Sequence, residues 1–165
     1  MSKIMTNIKL VLFAAVLTTQ GCNWSTEWTE EKRQEFKEKC DTQRVFNPNP
    51  ICFLGFDLDD VDSILVFEKK GYVIIDTITV RLQKGYRSEI DRNNKKYWGA
   101  SEKDFNIEYS YRFELSPTRL FLLHNMEMMM SPEYTMGGEG WGCNMRKYQI
   151  NNDSFDQHGN ITITR

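Results

Sequence analysis

The chain contains a dense group of potential metal ligands with sulfur atoms. Four methionines follow His124 closely: Met126, Met128, Met129 and Met130. Soft thioethers select Cu(I) over harder ions, so the cluster Met126–Met130, with His124, predicts a periplasmic Cu(I)-binding protein as one alternative. The same spacing also fits a strand whose core face carries Leu120, Leu122, Met126, Met128 and Met130. Because methionine is a flexible filler of hydrophobic cores, we favour packing over copper.

A second cluster consists of carboxylates in the segment GFDLDDVDS: Asp57, Asp59, Asp60 and Asp62. A calcium loop of the EF-hand type needs oxygen ligands at positions 1, 3 and 5 and glycine at position 6. Counted from Asp57, position 5 is Val61 and position 6 is Asp62, so the calcium-loop pattern does not fit. The segment is predicted to be a solvated turn, with a looser calcium site as the alternative.

Catalytic motifs are missing from the sequence. It contains only two histidines, His124 and His158, and no GxSxG, HExxH or Walker pattern. The glycine run GGEGWG precedes CNMRKYQI, whose pattern is that of a strand, whereas phosphate-binding loops lead into a helix. The chain is therefore predicted not to be an enzyme and to need no cofactor.

Binding residues are predicted instead among the aromatic side chains of two long connections, residues 86–104 and 131–142. Long connections in compact domains are often functional, and aromatics are enriched where interfaces concentrate their energy. Trp98, Tyr134 and Trp141 are therefore the candidate anchors for a protein or glycan partner. Trp141 has the alternative of folding back over the core. With 21 basic and 23 acidic side chains and no basic cluster, a nucleic-acid partner is not expected.

Four cysteines are present, namely Cys22, Cys40, Cys52 and Cys143. Cys40 and Cys52 enclose a short loop with the turn-forming sequence NPNP, so a Cys40–Cys52 disulfide is the favoured pairing. A Cys52–Cys143 bridge remains open as the alternative. No CxxC pair occurs, which argues against a thioredoxin-like site or a zinc ribbon.

The N-terminal segment has the features of an export signal. Lys3 and Lys9 make it basic, and residues 10–17 form the apolar run LVLFAAVL, which is too short to span a bilayer. The run ends in LTTQGC, and this stretch resembles the lipobox of bacterial lipoproteins, in which glycine or alanine directly precedes the modified cysteine. Thr19 and Gln20 depart from the usual leucine and small residue of that motif.

The resemblance implies cleavage of a signal peptide, residues 1–21, and acylation of Cys22, which would begin a lipidated tether over residues 22–28. Two or more acyl chains hold a protein stably on a membrane. Asn23, rather than aspartate, follows the cysteine. Under the sorting rule of this protein class, that residue favours the outer membrane of the cell envelope.

The remaining chain, residues 29–165, is predicted to form one β-rich domain that begins with a helix over about 29–40. Thr29 is the predicted cap of this helix. The segment SILVFEKKGYVIIDTITVRL predicts a hairpin, and FNIEYSYRFEL predicts a strand because its odd positions are apolar and its even positions polar. RLFLLHNMEMMM, CNMRKYQI and NITIT predict further strands.

The expected fold is therefore mainly β: a small antiparallel β-sandwich or partly open barrel with one short N-terminal helix. The expected function is that of a membrane-anchored envelope lipoprotein acting as a non-enzymatic binding or structural module. An immunity or inhibitor lipoprotein that neutralises a toxin is a further alternative, which the small size, the anchor and the acidic balance permit.

Overall fold

The computed structural model describes residues 28–135, 138–156 and 160–165, with backbone only at 133–135 and 138–139. Cys22, the predicted signal peptide and His158 lie outside the described residues. Within these ranges the chain forms two helices, α1 (Glu30–Thr42) and α2 (Glu89–Asn93), and eleven strands. The strands are β1 (Val45–Phe46), β2 (Ile51–Leu54), β3 (Ser63–Lys70), β4 (Val73–Leu82), β5 (Lys96–Ser101), β6 (Phe105–Asn106), β7 (Ser110–Ser116), β8 (Arg119–Thr135), β9 (Gly138–Ile150), β10 (Asp153–Asp156) and β11 (Thr162–Thr164).

Nine of these strands form one curled sheet in the order β10-β9-β8-β7-β3-β4-β5-β2-β11, and β1 pairs with β6 separately. Every pairing is antiparallel except that of β11 with β2. A flat sheet of this size would place its edges about 38 Å apart. Asp156 ends β10 and Thr162 begins β11, so the short connection holds the two edges within about 20 Å. The sheet therefore curls into a half-barrel, which confirms the mainly β, partly open barrel.

The hairpin predicted in SILVFEKKGYVIIDTITVRL is confirmed as β3 and β4. Lys70 pairs with Val73 across the turn residues Gly71 and Tyr72. Gly71 has φ +61°, a conformation that glycine adopts without steric cost and that the first position of a tight hairpin turn requires.

The strand predicted in FNIEYSYRFEL is in fact two strands, β6 and β7. A turn breaks it, because Asn106 accepts hydrogen bonds from the amides of Glu108 and Tyr109. The predicted buried face is still largely correct. Phe105 stacks on Tyr111 with ring centroids 3.9 Å apart, and Tyr111 and Phe113 are fully buried.

The predicted loop 131–142 is wrong, since β8 and β9 continue as one long hairpin in which Thr135 pairs with Gly138. The single apolar face predicted for Leu120–Met130 is also wrong. Asn125, with φ +51°, is part of a β-bulge that reverses the alternation of side chains. Leu123 is therefore buried before the bulge, and Met126 and Met128 are buried after it.

The predicted loop 86–104 is wrong as well. It contains α2, capped by the Ser88 hydroxyl, which accepts from the Asp91 amide, and β5. Strand β5 lies between β4 and β2 inside the large sheet. Its sequence KYWGAS contains no β-branched residue, and its lysine, glycine and alanine, which are depleted in strands, offset the tyrosine and tryptophan, which are enriched there.

Helix α1 begins and ends close to the predicted bounds, and the Thr29 hydroxyl accepts from the Lys32 amide at 3.3 Å. The helix packs on β8 and β9, and a disulfide between Cys40 and Cys143 joins it to β9. The predicted Cys40–Cys52 pairing is therefore wrong, and so is the alternative with Cys143. Cys52 is an unpaired thiol buried on β2, and burial raises its pKa.

Candidate binding cleft

A cleft of about 460 Å³ opens where the segment between β1 and β2 faces the β8–β9 hairpin. Its polar lining consists of four amides and one hydroxyl, and its apolar lining of five further side chains. These residues are Asn47, Asn49, Asn144, Asn160 and Ser131, together with Phe46, Pro48, Pro132, Met145 and Ile161. None of them is charged.

One wall of the cleft is held by side-chain amides rather than by a strand. The side-chain oxygen of Asn49 accepts a hydrogen bond from the backbone amide of Ser101 at 2.6 Å, and its side-chain nitrogen donates to the backbone carbonyl of Ser101 at 3.1 Å. The Asn49 side chain thus bonds to Ser101 as a neighbouring strand would. The side chain of Asn47 accepts a hydrogen bond from the backbone amide of Asn49 and donates one to the carboxylate of Asp104. The prolines of NPNP lack amide protons, so asparagine side chains supply the hydrogen bonds of this wall.

The opposite wall belongs to the β8–β9 hairpin. Asn144 donates to the hydroxyl of Ser131 at 3.0 Å across the two strands, and the buried Met145 forms part of the apolar lining. Asn160 is exposed and lies just before Ile161, which is buried. The site therefore combines an apolar surface with neutral donors and acceptors, of which those of Asn47, Asn49 and Asn144 are held by hydrogen bonds within the protein.

Such a lining matches ligands that are polar but uncharged. Pockets of this size usually use apolar contact for affinity and a few positioned polar groups for orientation. An amide side chain offers both two donors and an acceptor. Sugar hydroxyls, N-acetyl groups and peptide backbone carry the complementary groups.

The predicted aromatic anchors lie outside this cleft and are on strands, not loops. Trp98 is on β5, where its ring is covered by Arg87 and Lys96 at 4.5 and 4.4 Å and its indole donates to Asp91. Trp141 is on β9, half-buried beneath the guanidinium of Arg33 at 4.7 Å. The backbone of Tyr134 pairs with Glu139, and its side chain lies outside the described atoms.

Trp141 is covered on one ring face by Arg33 of α1. Both tryptophans have a cationic side chain from their own chain on one ring face, where a sugar or a partner would otherwise stack. In the strand order of the sheet, β8, β7, β3 and β4 lie between the strand of Trp141 and that of Trp98.

Three of the four carboxylates of GFDLDDVDS have side-chain partners within the chain. Asp57 pairs with Lys95 and Asp62 with Lys84, while Asp59 accepts from two tyrosine hydroxyls. Among the described residues, no group of three or more histidine, cysteine, aspartate or glutamate side chains is arranged to hold a metal ion.

The methionines of the copper alternative line the hydrophobic core. Met126, Met128 and Met145 are buried within the main cluster of apolar side chains, and Met130 packs against it. The bulge at Asn125 places His124 on the opposite face, where its Nε2 lies 2.8 Å from the carbonyl of Asn151. The observed placement agrees with packing as the role of these thioethers.

The cleft itself was not predicted from the sequence. The available signal was the four asparagines, two of them in NPNP, but asparagine is equally common in ordinary turns. Only the fold brings residues 46–49, 131–132, 144–145 and 160–161 to one place.

Comparisons with protein-family models, with curated proteins and with solved structures find no match to this chain. None of the described helices is long and apolar enough to cross a bilayer.

Proposed function

We propose that the protein is a lipid-anchored module of the bacterial cell envelope that binds a neutral polar partner, a glycan or a protein segment, without catalysing a reaction. The observation that carries this proposal is the cleft, whose lining residues are all uncharged and in which the side-chain amides of Asn47, Asn49 and Asn144 are held by hydrogen bonds before any ligand binds. Preorganised polar groups lower the entropic cost of binding.

The envelope location is supported by two features. The apolar segment before Cys22 fits an export signal, and the acylated cysteine implied by the lipobox resemblance would hold the domain at the membrane surface. The Cys40–Cys143 disulfide is the state expected for a protein in an oxidising compartment.

The anchor is tested by the Cys22→Ser variant of the full chain, expressed in a bacterium that carries lipoprotein-processing enzymes. We expect the wild-type protein to sediment with membranes and to show acyl additions by intact mass. The variant should show no acyl addition and should be found in the soluble fraction once its signal has been removed. An unmodified wild-type mass would contradict the anchor.

The binding role is tested with two defined probes, oligosaccharides of N-acetylglucosamine and an uncharged peptide library, using titration calorimetry. Asn160→Trp should block the cleft, because Asn160 is exposed beside it, and should abolish binding of whichever probe binds. Asn152→Trp is the matched control at an exposed turn between β9 and β10. Equal binding by both variants, or no binding of either probe by the wild-type protein, would overturn the cleft as the site.

A further inference from the structure

The tip of the β3–β4 hairpin displays four consecutive apolar side chains to solvent. Tyr72 is fully exposed, Val73 is 64% exposed, and Ile74 and Ile75 are each 46% exposed. Isolated exposed apolar residues are common, but a contiguous set usually marks a surface that something covers. We call residues 72–75 the apolar tip.

The apolar tip is open on both faces and at one edge. Strand β7 accompanies β3 as far as Lys69, whereas β5 pairs with β4 only from Val80 onward. Between Val73 and Ile78, the outer edge of β4 pairs with no other described strand. A partner must therefore surround the tip rather than cover one flat face.

A bilayer interface fits that shape better than a protein groove does. Tyr72 and Asp76 are four residues apart, so the apolar stretch is about 13 Å long at about 3.3 Å per residue. Asp76, paired with Lys103, marks where the polar surface begins. Apolar elements at membrane surfaces are buried about 5–10 Å into the boundary between headgroups and acyl chains. The unpaired backbone of β4 limits insertion to that hydrated region.

The charges beside the apolar tip favour anionic lipid. Lys69 and Lys70 directly precede the turn, and Lys70 extends over the ring of Tyr109 at 5.8 Å. Within the described ranges, neither ammonium forms an ion pair with a carboxylate. Juxtamembrane lysines are attracted to the negative surface of a bilayer.

The apolar tip and helix α1 belong to the same end of the sheet. Strand β7 is antiparallel to both β3 and β8, so β3 and β8 run in the same direction. Lys69 pairs with Ser110, and the next residue, Tyr111, pairs with Leu123. The part of β8 after Leu123 therefore extends beyond the end of β3, on the side of the tip. Helix α1 packs on that continuation, with its Arg33 over Trp141. The start of α1 therefore lies at the end of the sheet that carries the tip.

We propose that the apolar tip, residues 72–75, inserts into the headgroup region of an anionic bilayer. It forms a second membrane contact, which fixes the orientation of a domain tethered through Cys22. This inference rests on the proposed function, because the lipid tether brings the domain to the membrane. What it adds is the orientation of the domain on the bilayer.

The test uses the mature lipoprotein reconstituted into vesicles of phosphatidylethanolamine and phosphatidylglycerol, with a nitroxide spin label at Tyr72→Cys. Collisions of the label with oxygen, which concentrates in the bilayer, are compared with collisions with a water-soluble nickel chelate. The matched control is Ile90→Cys on α2, an exposed apolar position near the opposite end of β4. We expect the ratio of oxygen to nickel collisions to be severalfold higher at position 72 than at position 90.

Two further variants refine the result. Adding Val73→Asp to the labelled protein should return the ratio at position 72 to that of position 90, because it places a charge in the inserted segment. The double substitution Lys69→Gln and Lys70→Gln should remove the difference between anionic vesicles and vesicles of phosphatidylcholine alone.

The outcomes separate this inference from the anchor. If the wild-type protein does not remain on the vesicles, or Cys22→Ser remains as firmly, the anchor fails. If anchoring holds but the label at position 72 is as accessible to nickel as the label at 90, insertion is refuted. Dipolar broadening between labels at position 72 would also refute it, because the tip would then pair with a second copy through β4.

Discussion

Asp59 is the most strongly engaged carboxylate of the acidic turn. Its Oδ1 accepts hydrogen bonds from Tyr97 at 2.8 Å and from Tyr86 at 2.9 Å, and the two hydroxyls lie 2.6 Å from each other. The bond from Tyr97, followed by that from Tyr86, lowers the pKa of Asp59. Burial, with the hydrogen bonds to Tyr86 and Asp59, raises the pKa of Tyr97. The ionised carboxylate therefore fastens the acidic turn to β5.

This arrangement predicts a pH dependence of stability. Because the folded-state pKa of Asp59 lies below its ordinary value of 3.8, ionised Asp59 stabilises the fold at neutral pH. That contribution is complete above pH 3.8 and is lost as the pH falls through the lowered pKa. Asp59→Asn should therefore lower the urea midpoint at pH 7, and its difference from wild type should shrink below that window.

The neighbouring Asp60→Asn is the matched control, since Asp60 is exposed and has no side-chain partner among the described residues. It should leave the urea midpoint unchanged at both pH values. A difference between Asp59→Asn and wild type that stays constant down to acid pH would contradict a role for the charge.

At the residue scale, the sequence indicated which groups are polar but not what they contact. The turn at Asp57–Asp62 was correctly expected to be solvent-exposed, yet Tyr86 and Tyr97 lie in a segment that was predicted to be a loop. Pairing of such distant groups depends on strand register, which a single sequence with short strands does not specify.

Among the elements, the contact between β4 and β5 depends on the lack of a side chain at Gly99. A Cβ at this position would lie 2.6 Å from Cγ1 of Val80 and 3.0 Å from Cε2 of Phe53, both of which are fully buried. Gly99→Ala should therefore lower the free energy of unfolding by about 1–3 kcal/mol, measured by urea titration, because the clash forces neighbouring strands apart.

Relief of the clash gives the sharper test. Val80→Ala removes the methyl group that Cβ would meet, so the double variant Val80→Ala with Gly99→Ala should be more stable than the sum of the single effects predicts. Gly71→Ala provides the comparison, because it meets no atom within 4 Å and has only its positive φ to oppose it. Combined with Val80→Ala, it should behave additively.

Element prediction succeeded where a cap or a hairpin turn marked the element, and failed at the short strands β5 and β6 and along residues 131–142 of the long β8–β9 hairpin. Helix α1, the β3–β4 hairpin and the parts of β8 and β9 that were predicted have clear periodicity or caps. Strand β5 has no such pattern, because its place is fixed by pairing with β4 and β2 on its two sides. The break between β6 and β7 has none either, because it depends on a local turn at Asn106. The bulge at Asn125 likewise follows from mismatched pairing in the β8–β9 hairpin.

On the scale of the whole molecule, the Cys40–Cys143 disulfide joins helix α1 to a strand 103 residues further along the chain. A bridge across so long a loop removes much of the entropy of the unfolded chain. The double variant Cys40→Ser and Cys143→Ser should lose about 2–4 kcal/mol of unfolding free energy, measured by urea titration without reductant.

Reductant and a third cysteine complete this test. Reduced wild type should approach the double variant in stability, whereas Cys52→Ala should keep its response to reductant, because Cys52 is already an unpaired, buried thiol. An unfolding midpoint of wild type that is indifferent to reductant would refute the bridge.

The sequence by itself determined the β-rich class, the capped first helix, the central hairpin and the expectation of a lipid anchor at Cys22. Each of these depends on local order: alternation, a cap, a turn or a motif of a few consecutive residues. Only the tertiary structure decided the partner of Cys40, the burial of Met126 and Met128, and the cleft around Asn49. Those features join segments far apart in the chain, and their free energy depends on how a curled sheet brings its strands together.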